Sequence, residues 1–432
     1  MPKILNIHQT HSGLSGTIEV PGDKSISHRG IMLGSIAQGT TLLTNFLKSE
    51  DCLCTANAFK AMGINIKGLD SSEIIIEGKG IDCLQEPCEI LDMGNSGTST
   101  RLLAGLLAAR PFYSVMKGDQ SLSRRPMDRI IGPLSQMGAE IYGRQNNKYL
   151  PLSIVGKELT GINYQSPIAS AQVKSALILA GLNSKGTTTV TEPILSRDHT
   201  ERMIGYMGGE ILRDKLTVSI QSGQQLQGRK MHIPSDISSA AFFMVAALIV
   251  PDSQLTLTNV GMNPTRTGLI DVLLKMGASL NTINYKGDDW EPVADIIVTP
   301  SELRGIEISG EIIPRIIDEI PIIAVLATQA RGTTIIREAS ELRVKESDRI
   351  SCVVSELQKM GADITEQADG MIIKGPTPLK GAKLESFGDH RLAMSWAVAG
   401  LIADGETTIN NVDCITTSFP GFEAILESIR KD

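Results

Sequence analysis

The stretch "PGDKSISHR" (21–29) places Lys24, Ser25, Ser27, His28 and Arg29 within six positions, directly after a Pro-Gly turn. The run before it (17–20) reads as a strand and the run after it (31–37) as an apolar helix. The cluster therefore falls at a helix start, where free backbone N–H groups and the positive dipole end favour an anion. A plainer reading is a helix N-cap followed by a solvated basic turn. Comparable groups recur along the chain: "GNSGTSTR" (94–101), "SPIASAQVK" (166–174), "PRIIDEIP" (314–321) and "FGDHR" (387–391). More cations lie in "SRRPM" (123–127), "SRDHTER" (196–202) and "RVKESDR" (343–349).

These groups sit on a repeat. Five segments carry a helix tail ending in Met-Gly and then a strand: "FKAMGINIKG", "LSQMGAEIYG", "IGYMGGEILR", "LLKMGASLNT" and "LQKMGADITE". They start 75, 70, 69 and 84 residues apart. The glycine after each helix is a C-cap signal, since the left-handed conformation there favours a residue without Cβ. Interleaved with them are six apolar segments, each followed by a small-residue turn and a Thr-rich strand, beginning near residues 29, 100, 174, 240, 320 and 392. Helices apolar nearly all round are buried ones.

Six units against five Met-Gly tails leave the last unit incomplete. The strand-like "KILNIHQ" and "SGTIEV" at the N-terminus are expected to complete it. The entries "VPGDKSISHR" and "IPSDISSAAF" match, which splits the six units into three and three. The expected fold is α+β, with two similar lobes of three βαβαββ repeats each and the active site in the inter-lobe cleft. The first lobe is discontinuous, 1–20 with 234–432, and the second spans 21–233.

Composition narrows the function. At 432 residues the chain exceeds one hydrophobic core. Aromatics at 4% argue against base-stacking surfaces, and a net charge of −7 gives no global field for nucleic acid or anionic lipid. Neither a nucleic-acid nor a membrane partner is expected. The longest apolar run, "AAFFMVAALIV" (240–250), is too short to span a bilayer. No secretory leader is evident, so a cytoplasmic protein with six reduced cysteines is expected. Cys52 and Cys54 lack zinc-site spacing and HExxH is absent, so neither metal nor cofactor is expected.

Taken singly, each charged motif has a structural reading. "RVKESDR" suits a salt-bridged helix through Lys345, Glu346 and Arg349, "GNSGT" a bare glycine-rich loop, and "SPIASAQVK" an N-capped helix. A P-loop is excluded, because its glycines would fall at Ile18 and Asp23. A hydrolase elbow fails because Gly97 follows Ser96 directly. Jointly, at matched repeat positions, the motifs point to one anion-binding site.

The ordered set "PGDKSISHR", "GNSGTSTR", "RRPM", "ASAQVKSA", "RDHTERM", "RVKESDR" and "GDHRLAM" resembles the 5-enolpyruvylshikimate-3-phosphate synthase family across essentially the whole chain. "ASAQVKSA" and "ELRVKESDR" look closer to the bacterial branch that includes glyphosate-tolerant enzymes. The resemblance implies transfer of the enolpyruvyl group of phosphoenolpyruvate to the 5-hydroxyl of shikimate 3-phosphate, with release of phosphate. It implies that Lys24, Ser25, Arg29, Ser170, Ala171, Gln172, Arg197, Asp318 and Lys345 hold shikimate 3-phosphate. It likewise implies that Lys24, Asn95, Gly97, Arg125, Gln172, Arg349 and Arg391 hold phosphoenolpyruvate. Asp318 is the expected base and Glu346 the expected proton donor, assisted by Lys24 and His390. Bidentate Arg and point-charge Lys suit two substrates that each carry a phosphate and a carboxylate.

Three positions depart from the enteric pattern: Thr417 for a phosphate-contacting Lys, Leu102 for Pro, and Glu341 for Asn. The nearest alternative is a UDP-N-acetylglucosamine enolpyruvyl transferase, which resembles a cysteine-dependent case. The matching loop here, "KGDQSLSRRPM" (117–127), has no Cys. A non-catalytic anion-binding repeat protein is the other alternative, and would not need Asp318, Glu346 and His390. Glyphosate is expected to compete for the phosphoenolpyruvate site, with Gly97 leaving room for it. A monomer is expected.

Overall fold

The computed structural model describes residues 3–287 and 290–431. The chain divides into two units, Met1–Pro21 with Pro234–Asp432, and Gly22–Ile233.

In the Gly22–Ile233 unit three helices, Lys24–Ile36, Gly97–Ala108 and Ala171–Gly181, are buried over most of their length. Their Leu, Ile and Ala residues face inward on every side, so they form the centre rather than a surface layer. At Gly105 a Cβ would lie 2.0 Å from the Ala176 carbonyl oxygen, so the second and third helices meet backbone to backbone. Ile237–Ile249, Ile320–Ala327 and His390–Gly400 play the same part in the other unit.

Sheets of one recurring topology cover these helices. In Gly22–Ile233 one sheet runs Leu91–Asp92, Tyr113–Lys117, Tyr149–Val155, Glu140–Gly143, and another runs Asn163–Gln165, Thr187–Thr191, Thr217–Gln221, Ile211–Asp214. The first pairing in each is parallel and the others antiparallel. Along Glu73–Lys79, buried Ile74, Ile76 and Gly78 alternate with more exposed residues, the pattern of a sheet with one face on a core.

The N-terminal strands do not both complete the sixth repeat. Ile4–His8 does, pairing antiparallel with Glu406–Asn410. Ser15–Ile18 instead pairs parallel with Gln254–Gly261 and opens the fourth sheet. The first sheet is opened in the same way by Lys230–His232, parallel to Gln38–Thr44. Each unit thus takes the parallel strand of its leading sheet from the segment just before the chain leaves it.

Local signals set the helix ends. Gly63, Gly138, Gly208, Gly277 and Gly361, the five Met-Gly glycines, all have φ between +86° and +99°. Five of the six buried helices open on a side-chain cap from Asp23, Ser96, Ser170, Asp236 or Asp389. The fifth has Pro321 in its first turn instead, after a separate short helix, Ile313–Ile316. Among the described residues no helix is long and apolar enough to cross a membrane.

Candidate active site

The caps bring the polar clusters to the helix starts. In Gly22–Ile233, Asp23 accepts from the Ile26 N–H at 2.9 Å and starts the helix at Lys24. Lys24 pairs with Asp51, and Ser25 beside it is half-buried. The rest of "KSISHR" turns inward. Ser27 accepts from the Leu47 N–H at 3.1 Å, and Arg29 is buried. Arg29 Nε donates to Thr200 Oγ1 at 2.7 Å, Nη2 to Ser175 Oγ at 2.9 Å and Nη1 to the Ser25 carbonyl at 2.9 Å.

His28, wholly buried, joins the first helix start to the second. Its Nδ1 lies 2.7 Å from Thr55 Oγ1, Thr55 Oγ1 lies 2.6 Å from Ser99 Oγ, and Ser99 Oγ donates to Ser96 Oγ at 2.7 Å. Burial, then the charges of Lys24 and Arg29, hold the imidazole pKa well below its ordinary value, so it is neutral. Ser96 caps the helix that begins at Gly97. Asn95, next to it, donates to Asp119 Oδ2 at 2.7 Å and accepts from Arg125 Nη2 at 2.6 Å.

The second and third starts are tied by Arg101, which the sequence motif contained but no role was given. Its Nη1 donates to Gln172 Oε1 at 2.7 Å, and Gln172 donates to Thr98 Oγ1 at 3.2 Å. Ser170 caps the third helix, with Ala171 as its first residue, and the Ser170 N–H donates to Glu192 Oε1 at 3.2 Å. Glu192 also pairs with Lys174 at 2.8 Å, and Glu201 pairs with the same ammonium at 2.9 Å. Burial opposes the Lys174 charge, but the Glu201 and Glu192 carboxylates outweigh it and raise its pKa. Arg197 is half-buried in the loop after Ser196, whose N–H donates to Glu192 at 3.4 Å. Arg29 thus ties the start of the first helix, through the Ser25 carbonyl, to Ser175 in the third helix, which Ser170 caps and which carries Gln172.

The other unit is organised around Arg349, 1% exposed, which opens the helix Arg349–Lys359. Its Nε donates to Asp389 Oδ2 at 2.8 Å, Nη2 to Glu346 Oε2 at 2.8 Å and Nη1 to Asp318 Oδ1 at 3.3 Å. Burial works against this cation, yet Asp389 and Glu346 more than reverse the effect and raise its pKa. Lys345 Nζ stands 3.6 Å from Asp318 Oδ1. "RVKESDR" is therefore not one helix: Ser340–Val344 is a 3-10 turn, Lys345 is extended and Asp348 caps the helix that opens at Arg349. Asp389 also caps the sixth helix, at whose start His390 and Arg391 are buried. Thr417 ends a 3-10 segment and donates to the Cys414 carbonyl at 2.7 Å.

The arrangement offers two carboxylates, Asp318 and Glu346, on one guanidinium, the pairing needed to take one proton and give another. Thiol chemistry is disfavoured at four of the six cysteines. Burial pushes the Cys52 and Cys414 thiols up to about 12 and those of Cys54 and Cys352 to about 11. Among the described residues no group of His, Cys, Asp and Glu is arranged to hold a metal ion.

A family model for EPSP synthase (3-phosphoshikimate 1-carboxyvinyltransferase) matches residues 8–426. A 3-phosphoshikimate 1-carboxyvinyltransferase from Brevibacillus brevis is 58% identical over 416 residues, covering 96% of this chain and 97% of the relative. One from Geobacter sulfurreducens is 56% identical over 416 residues, with the same coverage of both. The solved structure of EPSP synthase from Acinetobacter baumannii superposes with a TM-score of 0.89 at 46% identity, covering 99% of this chain and 98% of that one.

Proposed function

The chain belongs to the EPSP synthase (3-phosphoshikimate 1-carboxyvinyltransferase) family, and on that premise we propose how its residues carry out the reaction. It transfers the enolpyruvyl group of phosphoenolpyruvate to the 5-hydroxyl of shikimate 3-phosphate, releasing phosphate, a step of aromatic amino-acid biosynthesis. The single observation that carries the mechanism is the Asp318–Arg349–Glu346 cluster. In the first half of the reaction the hydroxyl oxygen adds to C2 of phosphoenolpyruvate while C3 gains a proton. The tetrahedral adduct still carries its phosphate. In the second half C3 loses a proton, the C2–O bond to phosphate breaks and the double bond returns. Asp318 takes the hydroxyl proton, which leaves finally with the phosphate, and Glu346 delivers the proton to C3 and later removes one, with Lys24 and His390 assisting. Arg349 fixes both carboxylates by donating to each.

Lys24, Ser25, Arg29, Ser170, Ala171, Gln172, Arg197, Asp318 and Lys345 hold shikimate 3-phosphate. Asn95, Gly97, Arg125, Arg349 and Arg391 hold phosphoenolpyruvate, and Lys24 and Gln172 contribute to both. The preformed bonds at Asn95–Arg125 and Arg101–Gln172 support this reading, because they fix side chains before a ligand arrives. Arg391 keeps donor capacity for an anion. Among the described residues its one side-chain hydrogen bond runs from Nη1 to the Ser238 carbonyl at 3.4 Å. Glyphosate, an anionic phosphonate, competes at the same place. Phosphate release should require both substrates together; release from phosphoenolpyruvate alone, or none from the mixture, would overturn the proposal.

A further inference from the structure

Glu319 follows the proposed base but has had no part so far. It is 1% exposed, immediately before the Ile320–Ala327 helix. Its Oε1 accepts a short hydrogen bond from Ser238 Oγ, in the first turn of the fourth helix. The same oxygen lies 3.9 Å from Arg391 Nη1, in the sixth helix, and 4.0 Å from Arg266 Nη1. Arg266, also buried, donates through Nη2 to Ser238 Oγ at 2.7 Å and to Asp236 Oδ1 at 3.2 Å. One carboxylate therefore meets the starts of three buried helices.

Two cations, Arg266 and Arg391, thus stand with two carboxylates, Asp236 and Glu319. Arg266 makes hydrogen bonds to Asp236 and Ser238, whereas Arg391 stands just beyond hydrogen-bond length from Glu319. Glu319 Oε2 is buried with no hydrogen-bond partner among the described residues. A buried carboxylate with one oxygen left so is costly, so the group pulls on the cations beside it. Arg266 Nη2 already donates to Asp236 and Ser238, whereas Arg391 Nη1 faces Glu319 Oε1 at 3.9 Å with no hydrogen bond to it, steered by charge yet not spent.

We propose that Glu319 is the positioning residue for Arg391, orienting its guanidinium toward the anionic groups of phosphoenolpyruvate. The proposal rests on the enolpyruvyl-transfer reading. It commits to the donor substrate, because no described contact links Glu319 to a residue assigned to shikimate 3-phosphate except through the chain itself at Asp318. Removing the charge leaves two arginines facing one carboxylate, so Arg391 turns away from its pose.

Steady-state kinetics of Glu319→Gln against wild type test this. The KM for phosphoenolpyruvate should rise roughly tenfold or more, the order of one charge-assisted hydrogen bond. The KM for shikimate 3-phosphate should move less than about twofold, an amount too small to count as one such bond. Glu319→Asp, which keeps the charge, should recover much of the loss. Ser238→Ala, which removes the bond orienting Glu319, should shift the same constant in the same direction, and serves if Glu319→Gln does not fold. An unchanged KM for phosphoenolpyruvate, or equal rises for both substrates, overturns the proposal. The wild-type control separates the two layers: if it releases no phosphate, the enolpyruvyl-transfer reading fails and takes this proposal with it.

Discussion

Arg349 Nη1 donates to Asp318 Oδ1 across 3.3 Å, joining residues 31 positions apart. Because Arg349 also holds Glu346 and Asp389, loss of one carboxylate leaves the guanidinium still paired. Altering Asp318 therefore leaves Arg349 paired. Asp318→Ala should lower kcat by roughly 10²–10⁴-fold, the usual contribution of a proton-transfer group. Affinity for shikimate 3-phosphate, measured by calorimetry, should fall far less than kcat, because the other residues that hold it remain. A near-normal kcat would remove Asp318 from the role of base.

Arg29 should behave differently. Its bonds to Thr200 and Ser175 are internal, so Arg29→Ala should lower thermal stability as well as raise the KM for shikimate 3-phosphate, by tenfold or more (about one charged hydrogen bond). Ser175 and Thr200 retain each other at 2.7 Å, which limits the structural cost. A lower melting temperature with unchanged KM would make Arg29 purely structural.

The depressed His28 pKa makes stability pH-dependent. The unfolded chain takes up a proton on this residue below its ordinary value near 6.5, while the folded protein stays neutral there. Stability is thus present above that pH and falls as pH drops toward the folded value, by up to about 1.4 kcal/mol per pH unit. Between pH 7 and pH 5 the melting temperature of His28→Asn should fall less steeply than that of wild type. Parallel curves would show that His28 does not set the slope.

Gly97 should govern glyphosate inhibition. A Cβ there would stand 3.0 Å from Arg101 Nη1 and 3.5 Å from Arg125 Nη1. Both guanidiniums are the far ends of flexible side chains, so the fold tolerates Gly97→Ala while the anion pocket narrows. The longer inhibitor loses more than the shorter substrate, since discrimination between similar anions depends on shape. The glyphosate inhibition constant should rise by a larger factor than the KM for phosphoenolpyruvate. Equal factors would contradict the steric account, as would a wild-type enzyme indifferent to inhibitor at about millimolar concentration, the range of a very weak binder.

What the sequence made legible was what short-range chemistry writes. The Met-Gly tails placed five helix ends, and Asp23, Ser170 and Asp389 stood where capping residues belong. Pairing partners were less legible. "SGTIEV" reads as a strand whichever sheet receives it, and only the structure assigns it to Gln254–Gly261. Long-range ion pairs left no local trace: nothing near Lys24 points to Asp51, and Glu319 reads as one more polar residue before a helix. The i,i+3 spacing of Glu346 and Arg349 did foretell their bond, though the helix inferred around it starts only at Arg349.

The central claim is that the carbon–oxygen bond of phosphoenolpyruvate, not its phosphorus–oxygen bond, is the one that breaks. Phosphoenolpyruvate labelled with a heavy oxygen isotope at the bridging position tests this directly when incubated with shikimate 3-phosphate and the protein. Mass spectrometry should find the label in the released phosphate, and the new enol ether should carry the unlabelled oxygen of the shikimate hydroxyl. Label retained in the carbon skeleton, with unlabelled phosphate, would contradict the account.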